Sequence, residues 1–553
     1  MNTLSTMLTA SLTLAVLASG ASAPAAESID DYFDIGDFHC PVSTTSPQAQ
    51  LWFDRGLAMC FGFNHEEAVR CFERAHQADP RLAMALWGMA YAWGPNINNM
   101  DIDAQQMAQA ALAVRLAELR EAEASDLERA LIAALSQRYP FPVPDLDARA
   151  PLNDAYADAM RDVSRQHPDS SLAAALLAEA LMNLEPWMHW TPQGQPGRHT
   201  PEILEILEAG LDRWPDHPML CHLYIHAVEA SPHPEKALPA ANRLRNLMPG
   251  VGHLVHMPSH IDVLMGDYNE VIPANQRGID ADKVFLAREG PYNLYTLYRI
   301  HNYHFLVYGA MFDGRSELAL SAAREIAQQV PEEMLREQVD FIDAFIPTPL
   351  HVLVRFGRWD EILQEPEPPN YLPMSCSIWH YARGLAYAAT GRVAEAEAEQ
   401  ARFAAVSIQV PETSFLFQNS SRSILGVAEA MLAGEIAYRR GEFAAAFAQR
   451  EEAVRRDDAL NYDEPWGWMQ PARHALGALL LEQGRAAEAE AVYRADLQRH
   501  PNNPWALHGL AESLVRQGQA AEARLVQGQF DAAMDDADVP IDRSCFCRLG
   551  QAE

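Results

Sequence analysis

The chain repeats itself. From Trp52 it runs through Gly56, Ala68, Phe72, Ala75 and Pro80, and the same spacing of small, aromatic and proline positions returns at Gly477, Ala489, Tyr493 and Pro501. Partial copies follow the same order at Gly384, Tyr387 and Ala396, at Gly434, Ala446 and Ala453, and at Ala319 and Pro331. A unit this short cannot bury its own apolar face, so copies must stack to share one. Long stretches are rich in helix-forming alanine. Alternating apolar and polar runs bounded by turn dipeptides hardly occur, which predicts an all-α chain.

These spacings resemble the tetratricopeptide repeat, a 34-residue helix–turn–helix unit in which small residues let two helices approach and aromatic residues fill the space between them. The resemblance covers most of residues 47–530, with insertions. It implies an all-α, right-handed solenoid whose concave face is lined by the first helix of each repeat. An N-terminal array is expected over 47–364 and a C-terminal array over 376–530, with the Pro-rich stretch 365–375 as a linker between them. Residues 531–553 form an acidic tail, expected to be loosely held. The loop at 185–201, rich in Trp, Pro and Gly, is long for a compact array, and such loops are commonly functional.

Charge narrows the function. The 553 residues hold 42 Lys and Arg against 75 Asp and Glu, a formal charge of −33. Nucleic-acid affinity comes from basic side chains neutralising phosphates, so a nucleic-acid binder is excluded on this reading. The apolar run Leu12–Leu17, followed by small residues to Ala26, reads as a secretory signal over 1–26, although no basic residue precedes it. An arm over 27–46 would follow. A periplasmic or secreted location is expected, with no membrane span once the signal is removed. Seven cysteines are irregularly spaced, and Cys545-Phe546-Cys547 suits either a disulfide or a soft-metal clip.

The histidines obey the repeat. His222 and His226 recur 34 residues later as His256 and His260. After an insertion, His301 and His304 match His253 and His256. Residues three and four apart share one face of a helix. The resemblance adds that the second, fifth, ninth, twelfth and thirteenth places of a first helix face the groove. All seven histidines, and Glu229, occupy such places. With 20 histidines in the chain, chance would put about half a histidine in those positions of three repeats.

Neutral imidazoles converging from neighbouring helices make a nitrogen-rich cage suited to copper or zinc, with iron possible. Helices packed 8–10 Å apart bring opposed histidines within reach of one ion. Two His-x-x-x-His helices supply four ligands and the third supplies more, so one or two ions are expected. Six histidines around two ions resemble coupled dicopper proteins such as tyrosinases and hemocyanins in ligand type and count. Glu229 is a candidate ligand, ring N–H partner or general base. Glu179, on the preceding helix, and His351, in a further unit, are secondary candidates. Pro258 threatens the register, because a helix that restarts there would move His253 and His256 off the shared face, or else aim His256 and His260 at one point. The groove would take a small molecule or a peptide, as a metal-dependent oxidoreductase or hydrolase, a metal carrier, or a non-catalytic scaffold. The C-terminal repeats offer a surface for a protein partner.

Overall fold

A computed structural model describes residues 34–144 and 149–548; the expected signal 1–26, the start of the arm and the last five residues lie outside them. The fold is an all-α, tetratricopeptide-like solenoid. Among the described residues the only paired strands are Phe415–Leu416 and Asn419–Ser420, a two-residue antiparallel hairpin.

The first repeat shows how the spacing works. Ser46 caps α1 (Pro47–Phe61), with Pro47 in its first turn. Asn64 caps α2 (His65–Ala78) by accepting from Glu67 N–H. The Phe72 ring lies between α1 and α3 (Ala83–Ala92), over Gly56 on one side and Gly88 on the other. A Cβ at either glycine would meet the ring at 2.5 Å. The same clasp returns near the C-terminus, where Tyr493 is held between Gly477 and Gly509. In both, glycine to aromatic to glycine is sixteen residues each way. The interval is what stacks one hairpin on the next.

Four central helices carry the histidines, α4 (Pro218–Val228), α5 (Gly252–His256), α6 (Pro258–Met265) and α8 (Tyr295–Phe312), and α7 (Tyr268–Glu289) packs among them. Every residue of α4 and α5 is buried, as is nearly all of α8. Helices apolar all round belong inside a molecule, and these sit where two clusters of buried apolar side chains meet. One cluster gathers residues from Ile35 to Tyr298 and the other from Val263 to Cys547. The stretch 365–375 contributes Met374 to the second cluster, and Trp379 Nε1 donates to Glu365 O at 3.0 Å, so its two ends pack against that body while Pro366, Glu367, Pro369 and Asn370 are exposed.

The solenoid closes on itself. At the N-terminal side Gly250 N–H donates to Asp34 O at 2.7 Å. At the other, Trp505 Nε1 donates to Met311 O at 3.1 Å and Asn502 Nδ2 to Met265 O at 3.3 Å. The tail corrects the expectation of loose attachment. Asp538 accepts from the first N–H groups of the helix Ser316–Gln329, Ser544 Oγ bonds His474 O, and Cys545 pairs with Cys547. Its acidic residues are used at a helix N-terminus, where negative charge is favoured.

Candidate metal centre

The structure gathers the histidines into two triads. His222 and His226 of α4 join His253 of α5; His256 of α5 and His260 of α6 join His301 of α8. Within each triad one nitrogen of every ring lies within 4.8 Å of the others. All six are buried, His301 least at 9% exposed. A third group, His226, Glu229, His260 and Glu464, interlocks the two triads.

Pro258 does restart the helix, and the histidines stay aligned. Met257 keeps helical dihedrals (φ −49°, ψ −37°) between α5 and α6. His260 N–H donates to Met257 O, and Ser259 Oγ to His256 O at 2.7 Å. The hydroxyl satisfies a carbonyl at the break. The junction turns the His256 and His260 rings toward one another, with Nε2 atoms 2.7 Å apart. α5 also lies very close to α7: a Cβ at Gly252 would overlap the Asp282 carboxylate, and one at Gly278 would come within 3.0 Å of Gly252 O. Glycine is required at this crossing.

Hydrogen bonds at Nδ1 fix the state of the rings. His222 Nδ1–H donates to Phe61 O at 2.7 Å, one of the carbonyls left over at the end of α1. Glu229 Oε1 accepts from His226 Nδ1–H and Oε2 from His260 Nδ1–H, both at 2.7 Å. Asn275 Nδ2 donates to Val271 O at 2.8 Å, which turns its Oδ1 to receive His256 Nδ1–H at 2.7 Å. In its neutral form each of these four rings keeps a bare lone pair on Nε2. The His222 and His226 Nε2 atoms are buried without a hydrogen-bond partner, and so are both ring nitrogens of His253 and the Nδ1 of His301. Buried polar atoms are normally paired. A cluster of unpaired imidazole nitrogens aimed inward is what a cation satisfies.

Burial disfavours charge on four of the six rings. Burial, then the neighbouring imidazoles, push His222, His253, His256 and His301 well below the ordinary histidine value. Burial also opposes charge on Glu229, but its contacts with His226 and His260 outweigh it and hold the carboxyl below the usual range. Burial and the neighbouring Glu229 carboxylate push Glu464 well up. Glu229 thus serves both triads, with the Glu464 carboxyl beside it. The Tyr462 hydroxyl also hydrogen-bonds Glu229.

Three other expected residues lie elsewhere. His304 projects from α8 to the Phe345 ring, 5.2 Å away and edge-on, and belongs to neither triad. His351 sits edge-on to Trp468 at 5.4 Å. Glu179 accepts from Tyr91 OH at 2.8 Å and from Asn183 Nδ2 at 3.1 Å, again outside both triads. Conversely, Glu464, Tyr462 and Asn275 join the site without having been singled out in the sequence. The available signal for the first two was the run Tyr462-Asp463-Glu464-Pro465-Trp466-Gly467-Trp468, an aromatic insertion between repeats of the same character as the 185–201 loop.

A cavity of about 480 Å³ opens beside the triads and exposes His226, His253, His260 and His301 to its interior. Trp187, from the long loop, stands edge-on to His226 at 5.3 Å. Phe417, from the hairpin turn, stands edge-on to His301 at 5.1 Å. Phe63 packs on His222 at 4.7 Å. Four non-glycine residues among those described have positive φ, and these three are among them (φ +57° to +61° for Phe63 and Trp187, +46° for Phe417). Bulky side chains in that region are strained, and such strain concentrates at functional sites.

Residues 480–527 match the tetratricopeptide repeat family. Those residues form a tetratricopeptide repeat, in a chain whose fold is an all-α solenoid of that kind. This match overlaps the Gly477–Pro501 copy and its Tyr493 clasp. No curated protein sequence matches the chain. Among solved structures this tetratricopeptide array is similar to a human IFIT1 dimer with m7Gppp-AAAA, at 11% identity over 89% of this chain and 91% of that one, TM-score 0.30. A complex of Naa15/Naa10 bound to HypK-THB is similar at 14% identity over 88% and 70%, TM-score 0.23. No helix among the described residues is long and apolar enough to cross a membrane.

Proposed function

We propose that the chain binds two transition-metal ions, one at each histidine triad, and acts as a metal-dependent oxidoreductase or hydrolase on a small molecule in the adjoining cavity. The observation that carries this is the His256–His260 pair. Each ring gives its Nδ1 proton to another partner, so two lone pairs face each other across 2.7 Å. Between two neutral rings that contact is repulsive. Two nitrogens bound to one ion at about 2.0–2.1 Å come to rest about 3 Å apart, so a shared cation turns the repulsion into coordination.

Six imidazoles with no thiolate among them favour copper or zinc, with iron next. Such ions supply Lewis acidity or redox chemistry. The protein's part is orientation: Glu229, Asn275 and Phe61 O hold four rings with Nε2 directed inward. The reading goes with export to a periplasmic or secreted location, and with the C-terminal repeats as a surface for a protein partner.

The test is elemental analysis of purified protein after exposure to copper or zinc and desalting, beside the His256→Ala/His260→Ala double variant. Two equivalents in the parent and one in the variant support the proposal. Absence of stoichiometric metal, or equal uptake by both, overturns it and leaves a non-catalytic scaffold.

A further inference from the structure

The cavity has a chemical character of its own. Its floor is the inward edge of both triads and its walls are largely aromatic: Trp187 and Tyr298 on one side, Phe341, Phe415 and Phe417 on another. Tyr298 stands edge-on to His253 at 5.1 Å, and its hydroxyl is tied to Asn98. Phe341 and Phe417 meet edge-on at 5.7 Å. Aromatic pairs favour edge-to-face and offset contacts, so such walls offer a flat guest the geometries that rings prefer. An apolar cavity of about 150 Å³ accepts a benzene-sized guest, and this one has room for about two or three rings.

Charge removes one class of ligand. Among the described residues no Lys or Arg lines the cavity, whereas Asp463 and Glu464 do. The chain carries a net −33. In the metal-free protein a carboxylate or phosphate would lose its hydration with no side-chain cation to receive it. The uncharged polar groups at the rim, Asn98, Asn99, Gln338 and Gln418, read hydroxyl or carbonyl groups instead.

We infer that the cavity is the binding site for a neutral aromatic small molecule, held between Trp187 and Phe417 with its polar end toward His226, His253, His260 and His301. The inference rests on the proposed function for the chemistry that follows binding, while binding itself needs only the walls. Trp187 and Phe417 are each held by a backbone that few aromatic residues adopt, and each touches one triad. The pair grips a ring above both centres at once.

Isothermal titration of the full chain with 4-methylphenol, against benzoate as an anion of similar size, tests this on protein as purified and after chelator treatment. With the metals removed, 4-methylphenol is expected to bind at about millimolar or better affinity and at least about tenfold more tightly than benzoate. Phe417→Ala should weaken it about tenfold. Leu297→Trp, which fills the cavity without removing a wall, should abolish it in a protein whose circular dichroism is unchanged. Equal affinity for the two probes, preference for benzoate, no binding of either, or full binding by Leu297→Trp overturns the inference. His256→Ala, a triad residue outside the cavity lining, separates the two proposals: it should lose one metal equivalent and keep 4-methylphenol.

Discussion

Replacing Glu229 by Gln should damage one metal site and spare the other. Glu229 is a double acceptor, taking the Nδ1–H of His226 with one oxygen and that of His260 with the other, both at 2.7 Å. Glutamine keeps one acceptor and replaces the other with an NH2 donor. Whichever histidine meets the NH2 must accept there, which moves its proton to Nε2 and removes the lone pair offered to the ion. A hydrogen bond to a charged group contributes about 1.5–3 kcal/mol, and losing a carboxylate behind a ligating histidine weakens metal binding by about 10–100-fold. One of two sites should therefore weaken by that factor and the other by less than about threefold. Competition titration against a chromophoric chelator resolves this as a change in one of the two binding steps relative to the parent, and nitrogen NMR of the imidazoles identifies the ring that changed tautomer. Glu229→Ala, which removes both acceptors, should weaken both sites. Uniform weakening in Glu229→Gln, or none, would refute the assignment of Glu229 as a shared orienting carboxylate.

His301→Leu should lose one metal equivalent by elemental analysis, whereas His304→Leu, on the same helix but facing Phe345, should retain both. Gly252→Ala drives a methyl group into Asp282 at the α5–α7 crossing; we expect a loss of about 2 kcal/mol in chemical unfolding, with reduced metal occupancy because α5 carries His253 and His256. Asp457, which accepts from Ala472 N–H at 3.0 Å, is pushed by burial up to about 7 from an ordinary 3.8. A carboxyl raised on folding stabilises the fold fully below 3.8 and loses that contribution as pH rises toward 7. Asp457→Asn keeps an acceptor without the charge, so it should raise the unfolding midpoint at pH 8 more than at pH 4, by at most roughly 4 kcal/mol.

The repeat and its histidines were legible because both are local patterns. Gly56, Phe72 and Gly88 interlock at fixed intervals, and His222, His226, His256 and His260 keep the register of the unit that carries them. The choice between His301 and His304 was not legible, since both lie on buried α8 and only its rotation decides which faces the groove. Pro258 was legible as a break but not in its effect, which depends on Met257 keeping helical dihedrals. Glu464, Tyr462 and Phe417 were beyond reach for a different reason. They lie more than a hundred residues from His301 and arrive through closure of the solenoid, which no interval within a repeat encodes. Asn275 is placed by the tight α5–α7 crossing at Gly252 and Gly278, a contact between helices rather than a pattern along one.

All six triad histidines precede residue 302, whereas the segments that cover them, 415–420 and 462–464, come later in the chain. In order of synthesis the donors exist before their cover. On the proposed reading, a nascent chain that has stacked its helices as far as Phe312 still lacks the Phe417 and Glu464 cover, and an ion enters before they dock. Once Phe417 and Glu464 dock, escape requires that late segment to lift away. The rate of metal loss from the finished protein should then track opening of the 415–467 region, measurable by hydrogen exchange, and the time of loading becomes part of how the site is built.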